Sequence, residues 1–228
     1  CFPEVIILNG DGDFWWTKAI NNGAKYAIEE LESDYILLWN DDVLPANNYV
    51  QNLIQILQAK PKNIIIGSKI LDNTTKKLWV SIMKFNKYTG HSSFIKDGVI
   101  NDRIHLKWLA GMGLVIPSQT ITQLNYWDNV NFPQYFGDMD FTLNASKAGI
   151  EIVVDDSLVL YNKTEYSSFK GQDIKTFIAS LKSSNIGSRY NMYIRSKILR
   201  KHTNSSLWIF TFFMFYVKYS IKTFILKR

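Results

Sequence analysis

Two groups of carboxylates carry residue types that could do chemistry. In the first, an unbroken apolar run from Tyr35 to Trp39 stops in Asn40-Asp41-Asp42, and Pro45 ends the extended segment. Such a run, bounded by polar residues, predicts a central strand buried on both faces of a largely parallel sheet. The two carboxylates and the amide then emerge at its carboxyl end, where open α/β sheets bind ligands. Adjacent carboxylates repel and stay ionised cheaply only beside a cation or in free contact with water. A hard divalent ion with oxygen ligands fits, and could also hold a diphosphate; a solvated acidic turn is the alternative. The second group is Phe136-Gly137-Asp138-Met139-Asp140-Phe141, at the start of a helix that runs to Ala148 and is closed by Gly149. The helix dipole favours carboxylates in a first turn, with or without a function.

Other stretches could line a site. Phe14-Trp15-Trp16 follows the turn-forming loop Asn9 to Asp13 and serves either as packing under that loop or as a stacking wall for a base or sugar. Trp108 to Ile116 combines a strand pattern with Gly111 and Gly113, which lets backbone approach a ligand closely. His91, His105 and His202 share no metal-ligand spacing and read as surface or packing residues.

The elements that must position these residues alternate. Glu4 to Leu8 reads as a buried strand. Thr17 is the expected N-cap of a helix whose small and apolar residues, from Ala19 to Leu31, recur with helical spacing. After the strand to Trp39, Asn47 to Lys60 predicts an amphipathic helix stopped by Pro61, and Asn63 to Gly67 a further buried strand. Strand, helix, strand, helix, strand marks an α/β architecture. From Ser68 to Lys107 the rhythm breaks into an antiparallel excursion, with short strands expected at Leu78 to Met83, Phe94-Ile95 and Val99-Ile100. Pro117 and Ser118 open a short helix, Ile150 to Val154 and Leu158 to Tyr161 are further strands, and Gln172 to Lys201 reads as mostly helical.

At 228 residues, with 46% hydrophobic content, the chain suits one sizeable α/β domain with a terminal appendage and is too apolar for disorder. The expected division is residues 1–171 and a basic helical extension, 172–228. Cys1 is the single cysteine, which rules out an internal disulfide. The formal net charge of +6 is uneven: no acidic residue follows Asp173, whereas eleven of the 26 Lys and Arg residues do. A basic tail implies an anionic partner, a membrane surface or nucleic acid. Leu207 to Leu226 is apolar and aromatic, yet its apolar stretch before Lys218 is about a dozen residues, short of the roughly 20 that span a bilayer. Thr211, Lys218 and Lys222 share one helical face, which fits a helix lying in the membrane interface; packing on the domain or on a second subunit, as in a homodimer, is the alternative. The apolar character of the tail argues against nucleic acid.

Taken together and in order, these motifs resemble the family 2 glycosyltransferases, which have the nucleotide-sugar-binding GT-A fold. Gly10-Asp11-Gly12-Asp13-Phe14-Trp15-Trp16-Thr17-Lys18-Ala19 with Asn22-Gly23 resembles the segment leading into the second helix of the bacterial rhamnosyltransferase-like branch. Asn40-Asp41-Asp42 sits at the metal-binding Asp-x-Asp motif. Ala110-Gly111-Met112-Gly113 resembles the acceptor-side strand, and Gly137-Asp138-Met139-Asp140 the later acidic motif, usually Glu-Asp, whose Asp is the catalytic base. Asn40 replaces the first Asp, Gly137 the usual Glu, and Asn162 lies near a position where many members place a metal-binding histidine. The first strand and helix of the family, which help hold the base, have no counterpart in this sequence; either it is truncated or the protein is a degenerate copy.

The resemblance implies an α/β GT-A fold with a mainly parallel central sheet flanked by helices and a C-terminal helical extension. It implies an inverting, metal-dependent glycosyltransferase of the hexosyltransferase type, moving a sugar from a nucleotide-diphosphate sugar to a hydroxyl of a glycan or lipid-linked acceptor in bacterial cell-surface polysaccharide synthesis. Asp42 would hold Mg2+ or Mn2+, and Asp138 would be the base. Asp140 would orient the helix start or the acceptor, with Gly111 on the acceptor side. Asn40 and Asp41 would touch ribose, metal-bound water or diphosphate, and Asp11, Trp15, Trp16 and Asn22 would line the donor site. The expected location is cytoplasmic, peripheral on the inner face of the cell membrane. A catalytically incomplete copy, acting as a membrane-associated binding or scaffold subunit, is the alternative.

Overall fold

The computed structural model describes residues 4–95, 103–162 and 174–224. Its helices are α1 (Trp16–Glu29), α2 (Tyr49–Ala59), α3 (Ser118–Gln123), α4 (Gly137–Lys147), α5 (Ile174–Leu181), α6 (Met192–His202) and α7 (Trp208–Phe224). Its strands are β1 (Tyr35–Leu38), β2 (Val43–Pro45), β3 (Ile64–Asp72), β4 (Leu78–Val80), β5 (Met83–Asn86), β6 (Ser92–Phe94), β7 (His105–Trp108), β8 (Leu114–Pro117) and β9 (Glu151–Asn162). The α/β class read from the alternation is the class observed.

The main sheet is mixed rather than mainly parallel. Its order is β1-β8-β3-β9-β2, with β4 added on β3. The β3–β9 pairing is parallel and the other described pairings are antiparallel. β1, β3 and β9 still run the same way, because β8 lies between β1 and β3 and opposes both. The helical alternation made those strands legible as parallel; the antiparallel insertion of β8 has no local signature.

β1 is an edge strand, not a central one, and Leu37 is 37% exposed. β2 occupies the other end of the strand order, yet only residues 39–42 separate the two. Across a flat sheet that path is about 19 Å at 4.8 Å per step, slightly more than the roughly 17 Å that five Cα steps cover. The sheet therefore curls, and the Asn40-Asp41-Asp42 turn bridges its two ends. Glu4 to Leu8 forms no strand: it is exposed, Ile7 by 78%, and pairs with none of the described strands. An apolar run specifies a strand only where an edge is there to receive it.

The excursion is an antiparallel sheet of order β6-β5-β7. The expected strand Leu78 to Met83 is divided between β4, on the main sheet, and β5. Val99-Ile100 lies outside the described residues. In the C-terminal part an irregular stretch, residues 182–191, interrupts the expected long helix.

Two cores converge on α4, whose residues are mostly buried. Phe141 and Ala145 join Ile65, Leu114 and Ile116 of the sheet. Met139 and Leu143 join Phe85, Phe132 and, from α6, Ile194, Ile198 and Leu199. The C-terminal helices thus share a core with the helix that carries the second acidic group.

Candidate active site

Asp138 sits at the end of a ladder between α4 and the extended segment formed by β7 and the residues after it. The backbone N–H groups of Lys107, Leu109 and Gly111 donate in turn to Ser146 Oγ, Thr142 Oγ1 and Asp138 Oδ2, at 3.0, 3.2 and 2.9 Å. The spacing follows from backbone geometry. Alternate residues of an extended segment advance about 6.6 Å, and every fourth residue of a helix about 6.0 Å. Three side chains at helical spacing therefore satisfy three N–H groups at strand spacing, and Asp138 is the last rung.

Gly111 must be glycine to close this contact: an added Cβ would lie 2.6 Å from the Trp16 ring and 3.5 Å from Asp138 Cβ. Trp16 and Asp138 thus meet over the same glycine. α1 enters this site clamped by the loop before α4. Gln134 Oε1 accepts the Trp16 N–H at 3.0 Å, Pro133 O accepts the Thr17 N–H at 2.9 Å, and Thr17 Oγ1 donates to Phe132 O at 2.6 Å. α1 begins at Trp16, so Thr17 is not its N-cap; the Gln134 side chain does the capping. Gly137 lies against Thr17 Oγ1, where no Cβ would fit.

Burial pushes the Asp138 carboxyl above its ordinary value, against the lowering effect of the Gly111 and Met139 N–H groups. Desolvation of the charged form outweighs the donors. The first-turn position predicts a more acidic group; the environment makes a more basic one, which suits proton abstraction.

Asp140 serves elsewhere. It is 1% exposed and points away from Asp138. Its Oδ1 takes a hydrogen bond from His202 Nε2 at 2.7 Å and an ion pair from Lys201 Nζ at 2.9 Å, while Oδ2 accepts from Asn144 at 3.3 Å. Lys201 also reaches Asp128 at 3.1 Å. Burial pushes His202 below its ordinary value in spite of Asp140, so the neutral ring donates from Nε2. Asp140 is thereby a tie between α4 and α6. Beside it opens a half-open cleft of about 440 Å³, lined among others by Asn21, Lys25, Tyr126, Asp128, Asn144 and Lys201.

At the first acidic group, Asp42 is half-buried, and its Oδ1 is buried with no hydrogen-bond partner. Asn162 Oδ1 is a second such oxygen. Asn162 ends β9 and pairs with Val43, the residue after Asp42. An orphaned carboxylate oxygen on this turn, with an orphaned amide oxygen on the adjoining strand, fits a hard, oxygen-preferring cation. Among the described residues no group of three or more His, Cys, Asp or Glu gathers in metal-binding range, so an amide oxygen would have to be part of the set. Asn40 is half-buried and Asp41 exposed on the same turn.

Trp15 is 37% exposed, and its ring packs beside Gly187 of the C-terminal loop. Asn22 is exposed about two turns further along, on α1. Asp11 is exposed and engaged locally: it accepts the Asp13 N–H at 3.0 Å and pairs with Lys18 at 3.0 Å, the two contacts that hold its carboxyl below the ordinary value. The structure thus brings together Trp16, Gly111 and Asp138, and places Asp42 and Asn40 on a separate turn.

Sequence reasoning missed His202, Lys201, Gln134 and Arg195. The Arg195 guanidinium lies 3.5 Å from the Phe215 ring and 5.1 Å from that of Phe136, the residue before α4. Burial lowers its pKa to about 10. No local pattern flags these residues, since each acts on a partner far away in the chain; the acid-free run after Asp173 was the one available signal.

Residues 2–112 match the family model described as glycosyl transferase family 2. The match takes in the Asp11 to Asn22 segment, the Asn40-Asp41-Asp42 turn and Gly111, and ends before Asp138. It supports glycosyltransferase activity in general, acting on a nucleotide-sugar donor and an acceptor, and the α/β fold with its mixed, curled sheet is the GT-A fold that such a match implies. No curated protein matches the chain.

Proposed function

We propose that the chain is a family 2 glycosyltransferase of the rhamnosyltransferase-like branch, inverting in stereochemistry. It would move a hexose from a nucleotide-diphosphate sugar to a hydroxyl of a glycan or lipid-linked acceptor in bacterial cell-surface polysaccharide synthesis. It would work peripherally on the cytoplasmic face of the membrane. The observation that carries this reading is the 2.9 Å bond from Gly111 N–H to Asp138 Oδ2, which joins the last residues of the family match to a half-buried carboxylate of raised basicity that shares Gly111 with the Trp16 ring.

In this mechanism the acceptor hydroxyl gives its proton to Asp138. The acceptor oxygen attacks the anomeric carbon from the face opposite the leaving group, and the bond to the diphosphate breaks with its electron pair. Trp15 and Trp16 supply stacking surface for the donor. Asp42, with Asn162 and the polar groups of Asn40 and Asp41, would hold a divalent cation; when bound, Mg2+ or Mn2+ neutralises charge on the leaving diphosphate.

The test is incubation of the full chain with UDP-, GDP- and dTDP-hexoses, Mn2+ and lipid-linked or free glycan acceptors. Release of nucleoside diphosphate with inverted anomeric configuration in the product, read by NMR, is the expected result. Retention of configuration would contradict the mechanism. Donor binding without release would favour the scaffold alternative.

A further inference from the structure

α7 has two apolar faces, and the fold uses one. Trp208 and Phe212 pack against the core beneath α6, and Phe215, Tyr216 and Tyr219 join Phe177 and Tyr190. Tyr190 and Tyr219 stack at 3.8 Å, and Tyr216 OH donates to Tyr190 O at 2.9 Å. The opposite face is bare: Phe210 is 69% exposed, Phe213 61%, Val217 50%, Met214 48% and Ile221 42%. At about 100° per residue these five side chains fall within an arc of about 100°. This is a continuous stripe of large apolar groups along a helix about 25 Å long, not the scattered exposed residues of an ordinary surface.

We infer that this stripe is the contact surface for an anionic lipid bilayer, with α7 lying in the plane of the headgroup boundary. Charge selects the occupant. No acidic residue follows Asp173, the charged residues of α7 are Lys218 and Lys222, and exposed Lys218 borders the stripe. Cations flanking an apolar face suit anionic headgroups above acyl chains. A second copy would bring two such cationic segments face to face, at an electrostatic cost. Among the described residues no helix is long and apolar enough to cross a membrane, so the contact is interfacial. The anchorage is rigid on the protein side, because Arg195 is held between Phe215 of α7 and Phe136 at the start of α4. The inference deepens the peripheral location proposed above and needs none of the transfer chemistry.

The experiment is co-sedimentation of the full chain with vesicles of phosphatidylcholine and phosphatidylglycerol in equal parts, against phosphatidylcholine alone. The variants are Phe210→Ser/Phe213→Ser and, as an exposed control on α2, Val50→Ser, with circular dichroism confirming the fold of each. The wild type and Val50→Ser are expected to bind the anionic vesicles, and the double variant to bind at least about tenfold more weakly. Equal binding by all three proteins overturns the inference. So does the absence of vesicle binding, including the case where the chain is a dimer that the double variant converts to monomer. Nucleotide-sugar turnover on a soluble acceptor, measured without vesicles, separates failure of this surface from failure of the proposed activity.

Discussion

Asp138 and Asp140 stand two residues apart at the start of α4 and face opposite ways: Asp138 Oδ2 accepts from Gly111 N–H at 2.9 Å, Asp140 Oδ1 from His202 Nε2 at 2.7 Å. Two successive positions of one acidic motif therefore have separate tasks. One meets the site under Trp16, and the other ties α4 to α6.

That division predicts different losses. Asp140→Ala leaves His202 and Lys201 facing a buried vacancy and is expected to cost about 3 kcal/mol of stability, at the low end for a broken buried pair because Lys201 is partly exposed. Urea unfolding measures it. Turnover per folded molecule should change little.

The same pair sets a pH dependence. The folded His202 pKa lies below its unfolded value, so the unfolded state binds more protons in between. Its contribution is full above the ordinary 6.5 and is lost as pH falls through the folded value. His202→Gln should flatten the decline of melting temperature between pH 7 and 5.

Gly111→Ala places a methyl 2.6 Å from the Trp16 ring. The ring must move, at about 1–3 kcal/mol, and the Gly111–Asp138 bond loosens with it. Donor affinity and turnover should both fall, whereas the same change at Gly23, where an added Cβ meets nothing within 4 Å, should be silent.

Most of the fold was legible. The alternation of apolar runs with amphipathic stretches located α1, β1, α2 and β3, because those elements announce themselves through their own periodicity, and α4 was located by its acidic start and by Gly149 at its end. The sheet order was not, since the placement of β8 between β1 and β3 is decided by tertiary pairing. Glu4 to Leu8 misled for the same reason: the pattern was strand-like, but no edge among the described strands receives it. In the site, Asp138, Trp16 and Gly111 were each visible as motif residues, while the 27-residue link between Gly111 and Asp138 and the 62-residue link between Asp140 and His202 were invisible.

At the Asn40-Asp41-Asp42 turn, the orphaned Oδ1 atoms of Asp42 and Asn162 predict that Mn2+ or Mg2+ raises the melting temperature of the wild type. Asp42→Asn should abolish that rise, and Asn162→Leu should reduce it. Equal shifts in all three proteins would place the cation elsewhere.

The raised Asp138 pKa predicts that turnover rises with pH along an acid limb lying above the ordinary aspartate value of 3.8. It also means that ionised Asp138 destabilises the fold, because the folded state holds its proton to higher pH than the unfolded chain. Removing the charge should relieve that cost.

The most direct test is therefore Asp138→Asn, assayed for turnover, donor affinity and melting temperature together. Asparagine keeps an oxygen for the Gly111 N–H and removes the base. The expected result is turnover lower by about 10²–10⁴-fold, donor affinity retained, and a melting temperature equal to or above that of the wild type. Near-normal turnover at unchanged donor affinity would contradict the assignment of Asp138 as the base.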